Sequence, residues 1–288
     1  MTALHSRDPM GDRFSDKRIF ITGAGSGLGL ALARKYAGHG WRVAISDIDG
    51  DRAAAALEQI TATGGRGFSV TCDVRSEESL REIKDKLLRD WSGVDVVVNN
   101  AGVAVAGTVT DTPMTDWDWA VDINLMGVVR GCHVYAPVLA RQGTGHIVNI
   151  ASFAGIAQAP AMASYNVAKI GVIGLSESLR AEMQPKGVGV SVACPSFFQT
   201  NLMESFRARD PALRIVADKH LARSTVTADD VAADIYQAVL RNRFMIISHT
   251  DARWLYRLKR FAPELFFKVL MRQTGGFGKS NIEESQKI

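Results

Sequence analysis

The chain has 288 residues, 47% hydrophobic and 22% charged, which excludes a disordered, fibrous or collagenous protein and fits one α/β domain. Its 34 basic and 30 acidic residues leave a net charge of +4, too small to argue for a nucleic-acid partner. Cys72, Cys132 and Cys194 lie far apart, with no CxxC or Cys/His ligand spacing, so they read as small buried hydrophobes; no disulfide framework or metal site is expected, and a reducing, cytoplasmic compartment fits.

Residues 1–14 contain no apolar core of a secretory signal and read as a flexible arm. No run approaches the roughly 18 consecutive apolar residues of a spanning helix. From there short apolar runs alternate with helical patterns. A strand at 18–22 is followed by a helix at 28–39, a strand at 42–46 by a helix at 51–63, and a strand at 67–70 by a helix at 77–91. Then come a strand at 95–98, a helix at 115–141, a strand at 146–150, a helix at 164–186 and a strand at 188–192. A long polar segment, 199–226, reads as a substrate loop or lid, before a helix at 228–241 and a last strand at 244–247. The strands are nearly all apolar, as strands buried on both faces should be. Strand–helix alternation requires parallel pairing with right-handed crossovers. Seven strands and six helices therefore make a single α/β domain over 15–250, a doubly wound parallel sheet of the Rossmann type flanked by helices. Residues 251–288 form a basic, amphipathic C-terminal helical extension.

The first strand runs into Thr22-Gly23-Ala24-Gly25-Ser26-Gly27-Leu28-Gly29, and a helix follows at once. Glycines there allow a sharp turn and let a pyrophosphate approach the N–H groups at a helix N-terminus. Gly23, Ser26, Gly27, Leu28 and Gly29 are thus candidate cofactor contacts. A tight strand–helix turn would explain the glycines alone, but the strand and helix on either side favour a nucleotide. Asp47 ends the second strand, 18 residues after Gly29. A carboxylate there accepts hydrogen bonds from both adenosine ribose hydroxyls and repels a 2′-phosphate. Neither Ser26 nor Ile48 is basic, and the nearest cation is Arg52 on the next helix, so NAD is expected in preference to NADP.

Tyr165 and Lys169 are four residues apart on one helix, hence on one face. A phenol with a pKa near ~10 is a poor base at neutral pH; a neighbouring ammonium, or the positive charge of an oxidised nicotinamide, lowers that pKa. Alone, such a pair is more often a surface feature than a catalytic one. Here it stands in a series. Thr22-Gly23…Gly27-Leu28-Gly29, Asp73-Val74, Asn99-Asn100-Ala101-Gly102, Asn124, Ser152 and Tyr165…Lys169 follow one another in the order of the short-chain dehydrogenase/reductase family, which the chain resembles over residues 17–248.

The resemblance implies an NAD(P)-linked oxidoreductase with a catalytic set of Asn124, Ser152, Tyr165 and Lys169. Tyr165 exchanges the proton with an alcohol or ketone, Ser152 holds and polarises the substrate oxygen, and Lys169 binds the nicotinamide ribose and lowers the phenol pKa. Asn124 holds a water that links Lys169 to solvent. Asp73, Val74 and Asn100 join the cofactor contacts, with Phe198 and Thr200 on the loop after the sixth strand. That loop departs from the family: Pro195-Ser196 stands where Pro-Gly is usual. Serine lacks glycine's φ/ψ range, so a shifted path at Phe198 and Thr200 is expected. The resemblance also implies a homodimer or homotetramer built through the helices at 115–141 and 164–186.

Phe153, Phe197, Phe198, Leu202, Met203 and Phe206 lie near the carboxyl edge of the sheet and suggest an apolar wall for a lipophilic secondary alcohol or ketone. The alternatives are an NADPH-dependent carbonyl reductase of the same fold and a dinucleotide-binding scaffold without turnover. In the extension, Trp254, Leu255, Leu258 and Phe261, then Leu265, Phe266, Val269 and Leu270, give two short amphipathic helices, the second opened by Pro263. Packing of Trp254 and Leu258 on protein is expected, with peripheral membrane contact ranked second.

Overall fold

The computed structural model describes residues 13–198 and 201–274. β1 (Arg18–Thr22), buried along its whole length, turns through the glycine loop into α1 (Gly27–Ala37). β2 (Arg42–Asp47) leads to α2 (Gly50–Thr61), capped by the Asp49 carboxylate, which accepts from the N–H groups of Asp51 and Arg52. β3 (Arg66–Thr71) precedes α3 (Glu77–Trp91), capped by Ser76. β4 (Val96–Asn99) is followed by the two-residue β5 (Val105–Ala106). α4 (Met114–Val121) and α5 (Gly127–Gln142) form one continuous helix through a π-helical turn at Asp122–Met126. β6 (Gly145–Ile150), α6 (Phe153–Ala157), α7 (Ala163–Met183) and β7 (Val188–Ala193) come next. Then a 3-10 turn at Asn201–Ser205 leads to β8 (Arg207–Ala208) and α8 (Pro211–Arg223). α9 (Ala228–Leu240) opens on a Thr227–Asp230 capping box, and β9 (Met245–Ile246), α10 (Thr250–Phe261) and α11 (Pro263–Gln273) complete the described chain.

Seven strands pair in parallel in the order β3-β2-β1-β4-β6-β7-β9. Alternate residues feed two cores. Ile19, Ile21, Val96 and Val98 face one with Tyr36, Trp41 and Tyr236, while Phe20 and Val97 face the other with Leu80, Tyr135 and Val172. At the amino ends of β1 and β4, the Arg18 guanidinium donates to both oxygens of buried Asp95 (3.0 and 2.9 Å), tying the two central strands. Strand order reverses between β1 and β4, which opens a crevice at their carboxyl ends.

The doubly wound sheet and its seven strands are as read from the sequence; four details differ. Arg13 and Phe14, read as part of the arm, belong to the body: Phe14 is buried edge-on against Trp41 (5.7 Å between ring centres), and Arg13 donates to the Val239 carbonyl. The segment read as a loop at 199–226 holds β8, which pairs with β5, and α8, started by the Asp210 cap and Pro211. The helix at 115–141 carries the π turn. And Trp254, expected on protein, is 57% exposed, because α10 turns Ala252, Leu255 and Tyr256 inward instead. The α4–α5 run, 114–142, is long and apolar enough to cross a bilayer, but just over half of its apolar window is buried in the protein, as in a core helix. All three cysteines are free and buried.

Candidate active site

The crevice is a cavity of about 490 Å³, with the glycine loop and Asp47 on one side, Ser152, Tyr165 and Lys169 at its floor and a group of apolar side chains opposite.

On the first side, Gly23 takes φ +62°, and a Cβ at Gly29 would sit 2.4 Å from the Gly23 carbonyl oxygen, so both positions need glycine. Asn100 holds the loop in place. Its Nδ2 donates to the carbonyls of Thr22 and Gly23 (2.9 Å each), and its own N–H and that of Ala101 donate to Thr22 Oγ1. Ser26 opens α1 without a side-chain cap, so its hydroxyl does not cover the first-turn N–H groups. The Asp47 carboxylate accepts from the N–H groups of Gly25 (3.0 Å) and Asp49 (3.1 Å), which fixes it at the end of β2. Asp73 and Val74 line the cavity too. Arg75 grips the Asp73 carboxylate (2.7 Å at closest) and lowers its pKa below the ordinary value.

At the floor, α7 presents Tyr165 and Lys169 inward, both buried. Lys169 Nζ donates to the Ile150 carbonyl (3.0 Å) and lies 5.6 Å from the centre of the Tyr165 ring. Ser152 caps α6, accepting from the Ala154 N–H (3.1 Å), and its hydroxyl, beside the Tyr165 phenol, favours the charged form of that phenol. Burial pushes the phenol up to about 12 against the opposing pull of the Ser152 hydroxyl, and pushes the Lys169 ammonium down to about 8. The lowering of the Tyr165 pKa by Lys169 expected from the sequence is thus overridden: desolvation penalises both charged forms. Asn124 sits in the π turn, fully buried. Its Nδ2 donates to the Val103 carbonyl (3.0 Å) and its Oδ1 accepts from the Val103 N–H (3.1 Å), so its side chain braces the segment after Asn99-Asn100-Ala101-Gly102. π turns of this kind recur at functional sites. A Cβ at Gly102 would lie 2.8 Å from Asn124 Oδ1 and 3.5 Å from Lys169 Nζ, so these two side chains flank one backbone step.

Opposite, Phe153, Phe197, Phe198, Leu202, Met203 and Phe206 all line the cavity, as expected. Thr200 lies outside the described residues. Ser196 needs no positive φ, which is how it replaces glycine in this loop, and its N–H donates to His249 Nδ1 (3.3 Å) while His249 Nε2 pairs with the Phe197 carbonyl (3.0 Å). Trp119, from α4, and Leu221, from α8, complete the wall, and Arg52 reaches across to Glu204 (2.6 Å). Sequence reasoning missed Trp119, Leu221, Glu204 and His249. Only Leu221 had a signal, the Asp210-Pro211 helix start; His249, Trp119 and Glu204 have none in the local pattern.

A family model described as short chain dehydrogenase matches residues 17–211. The probable oxidoreductase EphD of Mycobacterium tuberculosis is 33% identical over 260 residues, which cover 87% of this chain; the chain spans only 44% of that protein's length. The CLA biosynthesis dehydrogenase/reductase of Lactiplantibacillus plantarum is 31% identical over 271 residues, 87% of this chain and 95% of its own. A solved short chain dehydrogenase/reductase from Burkholderia phymatum, in complex with NAD, superposes with a TM-score of 0.79 at 34% identity, over 86% of this chain and 94% of that one.

Proposed function

The chain belongs to the short-chain dehydrogenase family of oxidoreductases, and we propose that it uses NAD to interconvert a lipophilic secondary alcohol and its ketone. One observation carries the reading: Ser152, Tyr165 and Lys169 line the same cavity as the glycine loop and Asp47.

The residues present fit the dinucleotide. Gly23, Ser26, Gly27, Leu28 and Gly29 would hold the pyrophosphate at the N-terminus of α1, where no side chain competes for the first N–H groups. Asp47 would accept from the adenosine ribose hydroxyls. Asp73, Val74, Asn100 and Phe198 would line the remaining contacts, Asn100 by keeping the loop in shape. The NADPH alternative relies on Arg52, and the Arg52 guanidinium is already shared between Glu204 (2.6 Å) and the Asp47 edge (3.8 Å), which supports NAD. When bound, the cofactor supplies the hydride acceptor or donor.

The chain's own groups handle the proton and the oxygen. Ser152 Oγ holds the substrate oxygen beside the Tyr165 phenol. In oxidation the Tyr165 oxygen takes the hydroxyl proton of the alcohol; in reduction the phenol returns a proton to the ketone oxygen. The net oxidation releases a proton and the net reduction takes one up, so oxidation gains as pH rises and reduction as pH falls. Lys169 would grip the nicotinamide ribose and add positive charge beneath the phenol. Asn124 acts through Val103 as a positioning residue. The apolar wall from Phe153 to Leu221 selects a lipophilic substrate over a sugar. Exposed Val167 and Ile170 on α7 and Met114 and Met126 along the α4–α5 helix support pairing with a second copy.

The test is a screen of the purified protein with NAD against lipophilic, aromatic and steroid-like alcohols, read by NADH absorbance. At least one should support turnover that Tyr165→Phe abolishes. Turnover surviving in that variant would overturn the assignment of the base.

A further inference from the structure

α10 presents two apolar faces. Ala252, Leu255 and Tyr256 face the protein, and Lys259 on the same side donates to the Ile156 carbonyl (2.5 Å) and to Gln158 Oε1 (2.8 Å), fastening α10 to the end of α6. Trp254 and Phe261, seven residues apart and so on one line of the helix, point away and are 57% and 83% exposed. α11 adds Leu265 and Phe267, both more than half exposed, beside the buried Phe266 that anchors it. Exposed cations surround them: Arg257 and Arg260 on α10, Lys268 and Arg272 on α11. Residues 251–272 hold six basic and two acidic side chains, so this segment carries +4, the net charge of the whole chain, and the rest is balanced.

A large aromatic-aliphatic patch set in a strong excess of positive charge is not how a soluble surface normally ends. A second copy docked through the same patch would set +4 against +4, which disfavours self-pairing there. An anionic bilayer satisfies both features: Trp and Phe side chains partition into the headgroup boundary, and each Arg or Lys near a negative surface adds attraction. We propose that the exposed face of α10 and α11 docks the protein peripherally on an anionic lipid surface, with Trp254 and Phe261 inserted and Arg257, Arg260, Lys268 and Arg272 over the headgroups. Because Lys259 joins α10 to α6, and Phe153 and Ala157 of α6 line the cavity, docking holds the apolar wall of the cleft next to lipid. The surface stands on its own geometry and does not depend on the reaction proposed for the cleft.

The test is co-sedimentation of the full chain with vesicles of phosphatidylcholine alone or with a share of phosphatidylserine, together with sizing in solution. Binding is expected to the anionic vesicles, weakening with salt. Arg257→Glu with Arg260→Glu should weaken it at least about 25-fold, since one cation is worth about fivefold. Trp254→Ser with Phe261→Ser should also release the protein from the vesicles. Solubility, oligomer size and turnover on a soluble substrate should stay unchanged in both variants, since none of the four residues touches the cleft. No binding to anionic vesicles at low salt, or binding that both variants retain, overturns the proposal. So does a fall in oligomer size in the Trp254/Phe261 variant, which would make the patch a contact between copies.

Discussion

The two sides of the cleft are built differently. The nucleotide side is held by buried or half-buried side chains bonded to backbone: Asn100 and Thr22 stitch the glycine loop to the end of β4, and the Asp47 carboxylate is fixed by two N–H groups. The apolar side is held by a few side-chain struts reaching between elements far apart in sequence, Arg52 to Glu204, His249 to the Phe197 loop and Arg207 to Asp116. Exposed ion pairs of the Arg52–Glu204 kind contribute little, about 0.2–1 kcal/mol. On the function proposed above, the first side would meet the cofactor as a firmly held cradle, and the second would meet the substrate as a wall of side chains that can repack.

The largest effect that separates the sides comes from the floor between them. Tyr165→Phe keeps the ring and removes the exchanged proton, so turnover should fall on the order of 10³-fold while NAD binding, read by calorimetry, stays near wild type. A matched loss of both would mean that Tyr165 belongs to the cradle rather than to the chemistry.

On the nucleotide side, Gly29→Ala places a methyl 2.4 Å from the Gly23 carbonyl oxygen. NAD affinity should drop about 100-fold or more, with the unfolding midpoint lowered as well. An alanine variant that binds NAD normally would show that the loop is as adaptable as the opposite wall.

Lys169 supplies a pH signature for the floor. Its folded pKa lies near 8, below the 10.5 of the free side chain, so between those values the unfolded chain binds the proton that the folded chain has lost. The Lys169 contribution to stability should rise with pH across that window, by on the order of 3 kcal/mol at most; the buried thiols of Cys72, Cys132 and Cys194, raised from 9.0 by burial, oppose it at higher pH, so the rise is read in denaturant titrations below pH 9. Lys169→Met should abolish the rise. An equal rise in the variant would place its origin elsewhere.

The smallest effect is reserved for the apolar wall. Leu221→Ala, on α8, should lower kcat/KM for a lipophilic alcohol about tenfold and leave the NAD affinity unchanged. A change in NAD affinity with no change in substrate preference would reverse the assignment of the two sides.

What could be read in the sequence follows the same division. Gly23 to Gly29, Asp47, Ser152, Tyr165 and Lys169 were legible because their chemistry is tied to fixed spacings within or between neighbouring elements. Their joint environment was not: the direction of the Tyr165 pKa depends on how completely the surrounding elements exclude water, and no spacing reports that. Leu221 was hidden because 199–226 reads as polar, although Asp210 and Pro211 marked a helix start. Trp254 shows the limit of periodicity. The pattern gave α10 a single stripe of Trp254, Leu255, Leu258 and Phe261, but the fold covers Leu255 and Tyr256 and leaves Trp254 and Phe261 outside. Helical spacing defines faces; which face is buried is decided by what packs on it, here α6 through Lys259.

The most direct test of the central claim is a side-by-side titration of the wild-type protein with NAD and NADP. With Asp47 fixed at the end of β2 and Arg52 engaged by Glu204, NAD should bind at least about tenfold tighter, a difference of about 1.4 kcal/mol. Equal or tighter binding of NADP, or no binding of either dinucleotide, would contradict the account.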